Sequence, residues 1–132
     1  MFRILIVEDS FLFRKLLKET LQSRFPAMEI IEATNGKEAL QKIDSSNPHL
    51  IFMDIELRGQ NGLELTKRIK GQYPQTIIII LTSHDLQEYR EAACQNNANY
   101  FLSKGLSTKG EILALVDSIL SDRQPPPDKK PN

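Results

Sequence analysis

The 132-residue sequence predicts an α/β fold built on one parallel sheet. Three observations carry that expectation. Wholly apolar runs such as Ile4-Leu5-Ile6-Val7 and Leu50-Ile51-Phe52-Met53 read as strands buried on both faces. Such runs alternate with segments whose apolar residues recur at helical spacing, the signature of repeated βα units. The runs also stop abruptly in polar side chains: Glu8-Asp9, Asp54, Thr82-Ser83 and Lys104. A charge is costly inside such a sheet but cheap where the chain leaves the core.

Each element follows from local pattern. Residues 3–8 read as the first strand. Ser10 can cap a helix whose core face carries Phe13, Leu16, Leu17 and Leu21 and which ends before Pro26. Residues 28–33 are the second strand. Asn35-Gly36 marks a turn, and Ala39, Leu40 and Ile43 mark a helix that stops near Asn47-Pro48. Residues 50–54 form the third strand and 58–62 a polar loop. Leu63, Leu65 and Ile69 define a helix ending near Tyr73-Pro74. Residues 76–82 are the fourth strand, 85–96 a weakly amphipathic helix, and 99–102 a short fifth strand. Ser107 or Thr108 caps a last helix with Ile112, Leu115, Val116, Ile119 and Leu120 on one face. Right-handed crossovers leave few topologies for five βα units. A single-domain flavodoxin-like (βα)5 sandwich, strand order 2-1-3-4-5, is expected at this length. Its switch point lies between strands 1 and 3, the two that end in Glu8-Asp9 and Asp54.

Size and charge narrow the function. One domain over residues 1–121 is expected, with 122–132 a proline-rich disordered tail or linker. Seventeen basic and seventeen acidic residues cancel, which argues against nonspecific nucleic-acid binding. The single Cys94 suits a reducing compartment. No stretch approaches the length of a membrane span, and the apolar start is too short for a signal peptide. The expectation is a soluble cytoplasmic domain with no membrane or nucleic-acid partner.

Ligands of open α/β sheets bind at the carboxyl ends of strands. Glu8, Asp9 and Asp54 converge there. Three carboxylates within a few ångströms repel one another unless a cation joins them, and hard oxygen ligands suit Mg²⁺. Thr82 and Lys104 bring a hydroxyl and an ammonium to the same sheet end. Together these groups can hold a phosphoryl group on a carboxylate.

At this point the chain resembles the receiver domain of bacterial response regulators over about residues 1–121. The matching segments are Ile6-Val7-Glu8-Asp9-Ser10, Asn35-Gly36-Lys37-Glu38-Ala39-Leu40, Phe52-Met53-Asp54-Ile55, Asn61-Gly62, Leu81-Thr82-Ser83 and Phe101-Leu102-Ser103-Lys104. The resemblance implies a phosphorylation-dependent switch of a two-component phosphorelay, not an enzyme with an external substrate. It implies Asp54 as phospho-acceptor, and Asp9 and Asp54 as direct Mg²⁺ ligands with Glu8 acting through water. The backbone carbonyl of Glu56 would be a further ligand. Lys104 would pair with the carboxylate and then the phosphoryl group, and Thr82 would donate to a phosphoryl oxygen. Phe101 would be the aromatic switch residue, and Glu56 and His84 would tune hydrolysis at the site mouth. Phe11 and Leu12, at least one of them exposed, would dock the donor, a sensor histidine kinase or histidine phosphotransfer protein. The output face would comprise the 85–96 helix, the last strand and the last helix; its effector is unspecified.

The chain departs from the family pattern at three places. Arg58 and Gly105 stand where proline is common, so the loop after Asp54 is expected to be less rigid, and a cis peptide after Lys104 is not required. Asn97 replaces a helix-ending glycine and tolerates the left-handed conformation. Two other functions are weaker fits. An aspartyl-nucleophile phosphatase of the haloacid-dehalogenase type wants Asp-x-Asp on its first strand and a cap domain. A phosphate-independent pseudo-receiver would lack one of the acidic pair, Asp54 or Lys104.

Overall fold

The computed structural model describes residues 2–57, 59–83 and 87–123. Five parallel strands form the sheet: β1 (Arg3–Val7), β2 (Glu29–Ala33), β3 (Leu50–Asp54), β4 (Ile77–Thr82) and β5 (Tyr100–Ser103). Their order is 2-1-3-4-5, as the sequence predicts. The helices are α1 (Phe11–Arg24), α2 (Gly36–Ser46), α3 (Gly62–Gln72), α4 (Gln87–Gln95) and α5 (Lys109–Arg123). Asp85, within the expected fourth helix, lies outside the described residues. So does His84. Helix α5 continues two residues past the expected domain end at 121.

Strand alternation divides the core into two layers. Leu5, Val7, Ile51, Met53, Ile78 and Ile80 face α2, α3 and α4 through Ala39, Ile43, Leu65, Ile69 and Ala93. Their neighbours Ile4, Ile6, Leu50, Phe52, Ile79 and Leu81 face α1 and α5 through Leu17, Leu21, Ile112, Val116 and Ile119. Each fully buried aliphatic or aromatic side chain contributes about 1.5–3 kcal/mol. Both faces of β1, β3 and β4 are therefore committed to the core, and function is confined to the strand ends.

Local capping follows the sequence. Ser10 Oγ accepts from Phe13 N–H at 3.3 Å, and Asn35 Oδ1 accepts from Glu38 N–H at 2.9 Å. Thr108, not Ser107, caps α5: its Oγ1 accepts from Glu111 N–H and its own N–H donates to Glu111 Oε1, both at 3.1 Å. This is a reciprocal capping box. Asn97 ends α4 at φ 68°. The described peptides are all trans, Lys104–Gly105 included.

Two expectations need correction. Leu16 was expected on the core face of α1, yet it is 45% exposed. The buried stripe runs through Leu17, Thr20 and Leu21, and at about 100° per residue Leu16 falls on its edge. The segment after Asp54 is not a plain polar loop. Glu56 pairs with Asn61 and Leu57 with Gln60 in a short antiparallel ladder, so the segment is tied to itself. Arg58 lies outside the described residues, and Gly59 turns the chain at φ +72°.

That ladder delivers Gly62 against the end of β3. Gly62 N–H donates to Ile55 C=O at 2.8 Å. A Cβ at Gly62 would collide with the backbone carbonyl of Asp54. Backbone cannot swing aside as a side chain can, so Gly62→Ala should destabilise the fold by roughly 1–3 kcal/mol. Urea denaturation should show the loss as a lower midpoint with an unchanged slope.

Candidate functional site

The sheet register assembles the site. Val7 pairs with Met53, so the next residues, Glu8 and Asp54, leave adjacent strands side by side. Glu8 is 0% and Asp54 3% exposed. Asp9 is partly open to solvent, and one oxygen from each of the three carboxylates lies within 4.8 Å of the others. On the far side, Thr82 pairs with Ser103, and Lys104 N–H donates to Thr82 C=O at 2.8 Å. Thr82 is buried. All five expected site residues thus stand at the carboxyl edge of β1, β3, β4 and β5.

The charges are imperfectly balanced. Lys104 Nζ lies 2.5 Å from Glu8 Oε1 and 3.5 Å from Asp54 Oδ2. Glu8 Oε2 accepts from Ser10 N–H at 3.0 Å, and Asp54 Oδ1 from Glu56 N–H at 3.1 Å. The Lys104 contact to Glu8 Oε1 is a charge contact without hydrogen-bond geometry, and that buried oxygen has no hydrogen-bond partner among the described residues. Burial first, then the Glu8 charge, pushes the Asp54 carboxyl up to about 7; Lys104 and the Glu56 amide pull it back only in part. One ammonium does not compensate three carboxylates. The donor set is all oxygen, crowded and short of positive charge, which fits a hard divalent cation.

Supporting contacts hold this edge in place. The Arg14 guanidinium donates to Glu8 C=O at 2.8 Å and to Glu32 Oε1 at 3.0 Å. Lys18 binds the other Glu32 oxygen at 3.0 Å. The α1 helix is thereby bolted to the turn that carries Glu8 and Asp9. The Phe13 ring lies 4.9 Å from Lys104 Nζ. Neither Arg14 nor Phe13 stands out in the sequence as a site residue. Arg14 reads as an ordinary helix charge and Phe13 as a core position.

The remaining expected residues take distinct places. Phe101 is partly buried, packs on the α2–α3–α4 side of the core, and carries the Arg90 guanidinium 4.7 Å from its ring centroid. Phe101 pairs with Ile80 and Ser103 with Thr82, so Phe101 and Thr82 share one sheet face two positions apart. Phe11 and Leu12 are both exposed, at 68% and 65%. Glu56 is exposed beside a cleft of about 450 Å³ that also borders Asp9, Gln60 and Tyr89.

Comparisons with known proteins agree with this geometry. The family model of the response regulator receiver domain matches residues 4–117. The sensory transduction protein LytT of Bacillus subtilis is 35% identical over 104 residues, covering 79% of this chain and 42% of that protein. A protein-glutamate methylesterase/protein-glutamine glutaminase of Geobacillus kaustophilus is 36% identical over 104 residues, covering 77% of this chain and 30% of that protein. The chain thus spans well under half the length of these relatives. The crystal structure of a two-component response regulator from Clostridium difficile superposes with a TM-score of 0.88 at 26% identity, covering 95% of this chain and all of that one. Among the described residues no helix is long and apolar enough to cross a membrane. With its sheet order, its acidic strand ends and its match over nearly the whole sheet, this chain belongs to the response regulator receiver domain family, the phosphorylation-dependent switches of two-component signalling.

Proposed function

We propose that Asp54 is the phospho-acceptor of this receiver domain and that the chain turns over no external substrate. The observation that carries this reading is the burial of Asp54 beside the Glu8 carboxylate and within 3.5 Å of the Lys104 ammonium, with Thr82 on the neighbouring strand. A carboxylate oxygen of Asp54 attacks phosphorus. The new O–P bond forms as the bond from phosphorus to the donor atom breaks, and its electron pair leaves with the donor. Lys104 then moves its charge from Glu8 toward the phosphoryl oxygens, and the Thr82 hydroxyl donates to another of them.

Asp9 and Asp54 would hold Mg²⁺, with Glu8 acting through water and the Glu56 backbone carbonyl as a further ligand. The buried Glu8 oxygen, which meets the Lys104 charge but has no hydrogen-bond partner among the described residues, supports a cation in this cluster. When bound, Mg²⁺ supplies positive charge that lets three carboxylates and a phosphoryl group share one site. The donor is a histidine kinase, a histidine phosphotransfer protein or a small phosphodonor. Phe11 and Leu12, exposed next to the acidic turn, form its docking contact. Glu56 at the mouth of the site, with His84, tunes water access. Residues 124–132 keep the composition of a tail or linker.

The readout is a Thr82–Phe101 coupling. Thr82 drawn toward the phosphoryl group vacates space on the face that Phe101 shares. A swing from 1:99 to 99:1 needs about 5.5 kcal/mol of differential stabilisation. Two or three charge-assisted hydrogen bonds, at about 1.5–3 kcal/mol each, supply it. The affected face comprises α4, β5 and α5.

Three outcomes are expected. Mass spectrometry after treatment with acetyl phosphate and Mg²⁺ shows one added phosphoryl group in the wild type and none in Asp54→Ala; a phosphoryl group elsewhere overturns the assignment. Phe11→Ala and Leu12→Ala each slow transfer from the cognate kinase by about tenfold, a central interface side chain being worth 1–2 kcal/mol. Their rates with acetyl phosphate stay unchanged, and equal rates with the kinase as well would remove the docking role.

The third outcome follows from the raised Asp54 carboxyl. An acid whose folded value is about 7 holds its proton more tightly folded than unfolded, where 3.8 is ordinary. Its contribution to stability is complete below the unfolded value and is lost as pH rises through the folded one. In EDTA, Asp54→Asn should therefore melt about 3–8 °C above wild type at pH 8 and with little difference at pH 4. Millimolar Mg²⁺ at pH 8 should raise the wild-type Tm and leave the variant nearly unmoved.

A further inference from the structure

We infer that Phe13 is a positioning residue for Lys104: its ring holds the ammonium at the phosphoryl end of the site. The inference deepens the proposed function and rests on the reading of Lys104 as a phosphoryl-binding group.

The Lys104 backbone is anchored through its N–H to Thr82 C=O, but the four-carbon stem beyond it is flexible. Among the described residues, three groups meet the ammonium. Glu8 Oε1 is 2.5 Å away, Asp54 Oδ2 is 3.5 Å away, and the Phe13 ring centroid is 4.9 Å away. The Lys104 side chain is 17% exposed, so little water is available to replace any of them.

The two carboxylates pull the ammonium along the line between β1 and β3. The ring adds an attraction from α1. Cation–π attraction is electrostatic and broad across the ring face, so it tolerates a small slide of the ammonium. Such a slide is what the site requires, since the charge must pass from Glu8 to the phosphoryl group on Asp54. A ring face can hold the ammonium before and after that move. A third carboxylate in its place would compete with the phosphoryl group.

Core packing alone gives no reason for an aromatic ring. Phe13 packs on the α1–α5 side of the core, where Leu17, Leu21, Ile112 and Val116 are its aliphatic companions. Leucine would serve that packing at similar depth. The polarity of the ring face is the property leucine lacks.

The test compares Phe13→Leu, which keeps an apolar side chain, with Phe13→Tyr, which keeps the ring. Each is assayed for the acetyl-phosphate reaction, for beryllofluoride affinity and for Mg²⁺ affinity, with Tm as the control on folding. Phe13→Leu should lose about three- to tenfold in the maximal phosphorylation rate and in beryllofluoride affinity. Its KM for acetyl phosphate and its Mg²⁺ affinity should stay near wild type, because neither depends on the ammonium's position alone. Phe13→Tyr should stay within about twofold of wild type throughout. If leucine matches wild type, or if leucine and tyrosine fall together, the positioning role is overturned. If the wild type itself takes neither phosphoryl group nor beryllofluoride, the reading of the site fails, and this inference fails with it.

Discussion

The structure is organised around one unfavourable arrangement, the crowding of like charge at the carboxyl edge of the sheet. Glu8 and Asp54 leave adjacent strands at the same level because Val7 and Met53 are in register. Both are buried, with Asp9 beside them. No local propensity favours this arrangement. It is imposed by the apolar commitment of β1 and β3, whose two faces are filled by Ile4, Leu5, Ile6, Phe52 and their neighbours. The hydrophobic term holds the strands in register, and the register forces the carboxylates together. The stored repulsion makes the site responsive to a cation.

Everything around the cluster limits that repulsion without abolishing it. Ser10 and Glu56 backbone amides each satisfy one carboxylate oxygen. Lys104 compensates one charge and sits nearer Glu8 than Asp54. Arg14 places positive charge near the turn, but its hydrogen bonds go to Glu8 C=O and the Glu32 carboxylate, not to the clustered carboxylates of Glu8, Asp9 and Asp54. A second lysine inside the site would have neutralised it more fully. It would also have removed the shortage of positive charge that suits the cluster to a cation.

The elements that depend on chain-local physics were legible in the sequence. Strand order, both-face burial and the caps at Ser10 and Asn35 follow from apolar runs and turn residues. The five site residues were legible for the same reason: each ends a strand, and a strand's end is visible as the point where apolar residues stop. Contacts between elements far apart in sequence were not. Phe13 over Lys104 joins residues on α1 and beyond β5. Arg90 over Phe101 joins α4 to β5. Nothing in the spacing of either pair announces the meeting. Leu16 failed for a subtler reason: helical periodicity gives the direction of a core stripe but not its width, and Leu16 lies at the margin.

The first turn of α1 gathers these themes. Four consecutive residues, Phe11 to Arg14, are spread around the helix by about 100° each. Phe11 and Leu12 face solvent, while Phe13 reaches Lys104 and Arg14 reaches Glu8 C=O. The Arg14 guanidinium also lies 5.6 Å from the Phe11 ring centroid. A partner that shifted this turn would act on a segment tied to both the Glu8–Asp9 turn and Lys104. Ion pairs from Arg14 and Lys18 to Glu32 also tie this helix to β2. The exposed Phe11–Leu12 face and the carboxylate cluster are thus joined through one helical turn.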